Sequence, residues 1–302
     1  MAASANTTAV GVIGLGAMGL GIAQSLRRSE FDVHVFEVRP GAAQAFARDG
    51  GTACATAAQL AAACDVVVSA VVNAAQTDAV LFAEGGVAAS MRKGSAFVMC
   101  STVDPAWSSG LEAKLAERGL LYLDAPMSGG AAKAASGELT MMTSGRPEAY
   151  AKCQKVLDAM AARVYKLGER AGAGSKVKII HQLLAGVHIA AAAEAMALGL
   201  REGADPQALY DVITNSAGNS WMFGNRMQHV LAGDYTPLSS VDIFVKDLGL
   251  VLDLARSSKF PLPLASTAHQ MFMQASSAGH AKEDDSAVIK IFPGIELPAK
   301  KT

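Results

Sequence analysis

Val10-Gly-Val-Ile13-Gly14-Leu15-Gly16-Ala17-Met18-Gly19 is the stretch whose reading decides the fold. Val10 to Ile13 is a short apolar run of β type, and a helical pattern follows the last glycine through Leu26. Strand, glycine turn and helix in that order are the context that a dinucleotide fingerprint requires. The first glycine permits the tight turn, the second lets a pyrophosphate approach the backbone, and the third lets helix pack on strand. Amides at the helix N-terminus then face the phosphates. A glycine trio alone is weak evidence. Here Phe31 to Phe36 supplies the next strand, and Glu37 stands where an acidic residue is expected, about 20 residues on. A carboxylate at that strand end can accept from a ribose hydroxyl and would repel a 2′-phosphate, so the expected cofactor is NAD. Arg39 keeps NADP open, because a guanidinium binds phosphate. The plain alternative for Glu37 is a solvated charge.

Working outward, the β/α alternation continues. Asp65 to Ala70 is a buried-type strand ending in Val71-Val72-Asn73; Ala96 to Met99 is another, ending in Ser101-Thr102, with Pro105 opening a helix. Leu120 to Leu123 is a third, ending in Asp124. Strand carboxyl ends in an open parallel sheet are where ligands sit, so Val72, Asn73 and Thr102 are cofactor-contact candidates; a helix cap or turn is the alternative for each. Ser128-Gly129-Gly130 in Asp124-Ala-Pro-Met-Ser-Gly-Gly offers unobstructed backbone N–H groups and a hydroxyl, a nest suited to a carboxylate, unless it is a plain flexible loop. Leu139 to Thr143 and Val164 to Leu167 complete a domain over 9–170.

Gly172-Ala-Gly174-Ser175-Lys-Val-Lys178-Ile-Ile-His181-Gln182 then starts a proline-free run to Gly203. Ser175 suits an N-cap, and Ala, Leu, Met and Glu favour a helix. A helix of about 28 residues would be roughly 42 Å long, enough to link two lobes, so 171–203 is expected to be an interdomain helix. At about 100° per residue, Lys178, His181, Gln182 and Ala185 share one face. A lysine in such apolar company is paired, snorkelling or functional. Beyond Gly203 the pattern is all helical over 204–292. Pro206 opens one helix, Asn219 lies in a loop or helix start, and Ser239 or Ser240 caps a helix in which Asp242 and Lys246 have pairing spacing. Residues 1–8 and 293–302 are expected to be flexible.

Composition narrows the function classes. The 302 residues suggest two domains; 51% are hydrophobic and 18% charged, enough for sizeable cores. A net charge of −1 gives no electrostatic argument for nucleic acid or a membrane surface. Cys54, Cys64, Cys100 and Cys153 have no metal-type or redox-type spacing, so no metal is expected. With neither a signal-peptide pattern nor an evident membrane span, the expectation is a cytoplasmic protein.

Four pieces coincide in order: Gly14-Leu-Gly-Ala-Met-Gly19, Asp124-Ala-Pro-Met-Ser-Gly-Gly130, Gly172-x-Gly174-x-x-x-Lys178 and Lys246-Asp247-Leu248. The set resembles the β-hydroxyacid (3-hydroxyisobutyrate) dehydrogenase superfamily along essentially the whole chain. The resemblance implies an α/β fold: an N-terminal Rossmann-type parallel-sheet domain, a long linking helix and an all-α C-terminal domain that forms a homodimer or homotetramer. It implies that Lys178 is the catalytic acid/base, that Ser128, Gly129 and Gly130 hold the substrate carboxylate, and that Thr102 and Lys246 contact the cofactor. The family usually carries two asparagines where this chain has His181 and Gln182. With Asn219-Ser-Trp and Lys282-Glu-Asp-Asp285, that departure is similar to a branch oxidising a four-carbon sugar acid at the hydroxyl beside its carboxylate. His181, Gln182 and Asn219 are then candidates to meet the extra hydroxyls, though His181 is as readily a core histidine. The alternatives are the same chemistry on 3-hydroxyisobutyrate or tartronate semialdehyde, or, from another class, a non-catalytic NAD-binding module. Imine reduction on the same architecture is disfavoured because Lys178 is present.

Overall fold

A computed structural model describes residues 8–300. The N-terminal half is a run of β1 (Ala9–Ile13), α1 (Ala17–Arg28), β2 (Asp32–Phe36), α2 (Ala42–Arg48), β3 (Thr52–Ala53), α3 (Ala57–Ala63), β4 (Val66–Ser69), α4 (Ala74–Phe82), α5 (Val87–Ser90), β5 (Ala96–Met99), α6 (Pro105–Ala116) and β6 (Leu121–Asp124). These strands form one sheet in the order β3-β2-β1-β4-β5-β6, and every pairing is parallel. That is the doubly wound order, whose switch point lies between β1 and β4. Alternation along the strands feeds a core on each face. Val10, Val12, Val66, Val68 and Val98 enter one cluster, while Ile13, Val67, Phe97 and Met99 enter the other. Side chains cap the helices that follow: Thr56 accepts from the Gln59 amide, Asn73 from Gln76 and Asp104 from Trp107.

A second, three-stranded sheet follows, built from β7 (Met127–Ser128), β8 (Leu139–Thr143) and β9 (Ala161–Lys166), with α7 (Gly130–Ser136) and α8 (Pro147–Met160) between them. β7 pairs antiparallel to β8, and β9 pairs parallel to it. The strand expected at Val164 to Leu167 therefore begins three residues earlier. The two-residue β7 carries no period for sequence reading to find.

α9 (Ala173–Arg201) is one continuous helix of 29 residues. The chain divides into two compact units between Lys178 and Ile179, within the second turn of this helix. Ser175 is not its N-cap: the helix has already begun, and the Ser175 hydroxyl instead donates to Asp124 at 2.6 Å. By length and composition α9 is apolar enough to cross a membrane; Ile189, Ala193 and Met196 are nevertheless buried in a protein core.

The second unit continues with α10 (Pro206–Thr214), α11 (Trp221–Ala232), α12 (Val241–Ser257) and α13 (Pro263–Ala275), then a π turn at Ser276–His280 and a 3-10 turn at Asp285–Ile291. Its core joins Ile189, Met196, Phe223, Met227, Phe244, Leu248, Phe272 and Ile289. The pairing expected between Asp242 and Lys246 does not form. Asp242 accepts from Ser276, and Lys246 pairs with Asp247 at 2.5 Å. The expected flexible tail also departs from expectation over 293–300. Arg201 donates to the carbonyls of Pro293 and Gly294, Ile295 and Leu297 pack on the core, and Lys300 pairs with Asp234. The segments 1–7 and 301–302 of the expected flexible ends lie outside the described residues.

Candidate active site

Parallel register brings the first unit's candidates to one sheet edge. Ile13 stands beside Phe36 and Ser69, Ser69 beside Met99, and Met99 beside Asp124. The loops after these residues carry Gly14–Gly16, Glu37, Val72–Asn73, Thr102 and Ser128–Gly130.

The glycine turn is built as its spacing demands. Gly14 has φ +87°, a left-handed conformation that side chains resist. A Cβ at Gly19 would sit 1.8 Å from the Gly14 carbonyl oxygen, so only glycine lets α1 approach the turn. A Cβ at Gly16 would meet nothing within 4 Å, and this N-cap has no side-chain capping bond. The first-turn amides of α1, at Ala17 and Met18, thus open onto clear space, as an anion-binding helix start requires. A nicotinamide dinucleotide fits this cradle.

Glu37, at the end of β2, is more enclosed than a solvated strand-end charge: its side chain is 7% exposed. The Leu15 amide donates to Oε2 at 2.7 Å and the Arg39 amide to Oε1 at 3.0 Å. The Arg39 guanidinium donates to the Leu15 carbonyl at 2.7 Å and to Oε2 at 3.1 Å. Burial pushes the Glu37 carboxyl up, but these hydrogen bonds and the Arg39 charge outweigh it and hold the group below its ordinary value. Glu37 is therefore a carboxylate that also braces the glycine turn.

Asn73 is the N-cap of α4, its Oδ1 accepting from the Gln76 amide at 2.8 Å, while Val72 is 45% exposed. Ser101 donates to the Val71 carbonyl at 2.6 Å, which ties the Thr102 loop to the Val72–Asn73 loop. Ser128 ends β7, and Gly129 (φ +140°) and Gly130 (φ +77°) follow. Two successive positive-φ residues, the N-cap Gly129 and the first helical residue Gly130, turn the backbone into α7, and no side chain caps that helix.

Lys178 lies on α9 and is 6% exposed. The start of its helix is fastened to Asp124, a fully buried carboxylate at the end of β6. Oδ2 accepts from the amides of Gly172 and Ser175, each at 2.9 Å, and from the Ser144 hydroxyl at 3.0 Å. Ser144 in turn accepts from the Gly174 amide at 2.9 Å. In the sequence Asp124 marks the end of a strand and opens the Asp124–Gly130 motif, with no sign of a helix anchor. Its partners lie 48 and 51 residues away, beyond any local signal.

In the second unit, Gln182 is 7% exposed. Its Nε2 donates to Asp247 at 2.5 Å, and its Oε1 is 3.0 Å from His181 Nδ1. Lys246 Nζ holds the other Asp247 oxygen. His181 is on the exposed side of α9, not in a core. Asn219 is exposed in the loop before α11, its Nδ2 donating to the Thr214 carbonyl at 3.0 Å. Among the described residues, no three His, Cys, Asp or Glu side chains gather to hold a metal.

Comparison with known proteins adds the wider context. Residues 9–168 match the model for the NAD binding domain of 6-phosphogluconate dehydrogenase. Residues 172–292 match the model described as the NAD-binding region of NADP-dependent 3-hydroxyisobutyrate dehydrogenase. An L-threonate dehydrogenase of Cupriavidus necator is 68% identical over 96% of this chain and 98% of its own. A crystal structure from Salmonella typhimurium, described as 3-hydroxyisobutyrate dehydrogenase, superposes with a TM-score of 0.91 at 55% identity, covering 94% of this chain and all of that one. Psf3, solved in complex with NADP+ and 2-OPP, has a TM-score of 0.85 at 28% identity and covers 93% of this chain and 99% of that one.

Proposed function

The chain belongs to the 3-hydroxyisobutyrate dehydrogenase family, and we propose that within it the protein oxidises L-threonate to 2-dehydro-L-erythronate with NAD, Lys178 serving as general acid/base. One observation carries this reading: 68% identity to an L-threonate dehydrogenase along nearly the full length of both chains. The protein is a hydroxyacid dehydrogenase with a nicotinamide dinucleotide cofactor.

The cofactor, when bound, supplies the hydride acceptor. The chain's own residues have three tasks. The turn from Gly14 through Leu15, Gly16, Ala17 and Met18 to Gly19 offers its amides to the pyrophosphate. Glu37 accepts from the ribose, and Val72, Asn73, Thr102 and Lys246 complete the cofactor's surroundings. The backbone amides at Ser128, Gly129 and Gly130, with the Ser128 hydroxyl, hold the substrate carboxylate. Lys178 takes the proton of the hydroxyl beside that carboxylate. A free lysine is a poor base at neutral pH, and the Lys178 side chain sits in a buried position. His181, Gln182 and Asn219 meet the remaining hydroxyls. A polar group that an apolar acid left unpaired would penalise that acid.

In the same proposal the enzyme works in the cytoplasm as a homodimer or homotetramer. Ile180 and Leu184, one turn apart on α9, are 55% and 54% exposed, which suits a subunit contact. Light scattering on the eluting protein reads the subunit number, and a monomer at micromolar concentration would refute this part.

The decisive experiment has two arms. L-Threonate, D-erythronate, 3-hydroxyisobutyrate and glycerate are compared with NAD and with NADP, and L-threonate with NAD should give the highest kcat/KM. Lys178→Met keeps the buried stem and removes the base. It should lower kcat by about 10² to 10⁴, the ordinary contribution of a general acid/base. More than about a tenth of the activity left in that variant would move the proton to another group.

A further inference from the structure

We infer that Asp124 is the positioning residue for Lys178: its buried carboxylate gathers the donors at the start of α9 and so fixes the turn from which the lysine projects. The inference rests on the reading of Lys178 as acid/base and adds to it the group through which β6 holds that lysine.

Four hydrogen bonds reach this carboxylate. Gly172 N, Ser175 N and Ser144 Oγ donate to Oδ2, and Ser175 Oγ donates to Oδ1 at 2.6 Å. Ser144 Oγ accepts from Gly174 N. Asp124 and Ser144 thus take up three backbone N–H groups at the head of α9, groups a helix start otherwise leaves without partners. The pair is itself braced, since each residue's amide donates to the other's carbonyl, at 3.0 and 2.8 Å. Negative charge is also favoured at a helix N-terminus.

The socket leaves no room for the helix to sit differently. A Cβ at Gly174 would lie 2.4 Å from the Met142 carbonyl oxygen and 3.2 Å from Asp124 Oδ2. Gly172 has φ +103°, and a Cβ there would be 2.4 Å from Ser109 Oγ. Gly172 thus lets the chain entering α9 pass against α6, and Gly174 lets the first turn of α9 lie against the β8 backbone and the Asp124 carboxylate. Lys178 is three residues past Ser175, a rise of about 4.5 Å along the helix. A shift of the anchored turn is passed to it almost undiminished. Displacement of a reacting group by about 1 Å costs on the order of 10² in rate.

Asp124→Asn tests the assignment. It keeps an acceptor for the two amides but removes the charge. With L-threonate and NAD, kcat should fall by about 10², while KM and the NAD dissociation constant stay within about threefold. The same substitution is then made in the Lys178→Met background. A group acting through Lys178 has nothing left to position there, so the double variant should match Lys178→Met alone within about twofold. Asp124→Asn costing the same factor in both backgrounds would overturn the inference, because the carboxylate would then act independently of the lysine. So would a raised KM with kcat intact, which would place its effect on the Ser128 loop. If Asp124→Asn does not fold, Ser175→Ala removes one of the four hydrogen bonds. It should lower kcat by about tenfold, again only when Lys178 is present. An active Lys178→Met single variant would refute the acid/base reading itself, a result separate from the coupling.

Discussion

Glu37 holds both of its oxygens against backbone amides, Leu15 on one side and Arg39 on the other, with the Arg39 guanidinium over Oε2. A carboxylate can accept about four hydrogen bonds, so capacity remains for a ribose hydroxyl. A phosphate on that ribose would meet the same negative charge. Glu37→Ser should therefore narrow the NAD over NADP preference, read as the ratio of the two kcat/KM values. Equal use of both cofactors by the unmodified enzyme would sink this argument. The same contacts give a pH prediction. The folded-state pKa of Glu37 is lowered from 4.5, because the hydrogen bonds outweigh burial. A depressed acid contributes stability that is present above the unfolded value and is lost as pH falls through the folded one. The melting-temperature gap between the wild type and Glu37→Gln should thus be constant above about pH 4.5 and close below it. A gap that widens on acidification would contradict the assignment.

At the scale of elements, short segments between strand and helix carry the chemistry. Gly129 joins β7 to α7 at φ +140°, and a Cβ there would meet the Lys133 Cβ at 3.0 Å. Gly129→Ala should raise KM for the acid about tenfold or more through this backbone strain. NAD affinity should hardly change, because the cofactor cradle lies on the β1–α1 turn; a loss confined to NAD binding would place the loop elsewhere. Elements such as these differ in how far sequence foretells them. The Gly14–Gly19 turn was legible because positive φ and close approach admit one residue type at fixed spacing. The strand of Val66–Ser69 and the proline-led starts of α6 and α10 were legible for equally local reasons. The Asp124 socket was not, since its donors come from residues 144, 172 and 175. Lys246 had an acceptable partner at helical spacing in Asp242, yet took its neighbour Asp247, which Gln182 holds in place from α9. Ile295 and Leu297 look like parts of a polar tail until the core they cover is built.

For the molecule as a whole, the second unit has a core of its own, and its stability can be tested at an ion pair to which the proposed chemistry assigns no role. Asp285 is fully buried and faces Arg226, whose side chain is 12% exposed; Nε lies 2.5 Å from Oδ1 and Nη2 3.1 Å from Oδ2. This fork joins α11 to the 3-10 turn after α13 and stands beside Asp284, which accepts from His229 at 2.9 Å. Breaking a buried pair by removing one partner leaves an uncompensated charge and costs about 3–5 kcal/mol. Replacing both partners by apolar groups of similar size is close to neutral. Asp285→Asn should therefore lower the melting temperature by roughly 10 °C at pH 8, where the wild-type carboxyl is ionised. Arg226→Met combined with Asp285→Leu should recover most of that loss. The comparison separates the cost of the orphaned guanidinium from the net worth of the pair. A drop of less than about 2 °C for Asp285→Asn would mean that water reaches Arg226 once its partner is gone. A double variant no better than the single would mean that the fork itself, not the unpaired charge, holds α11 to the turn.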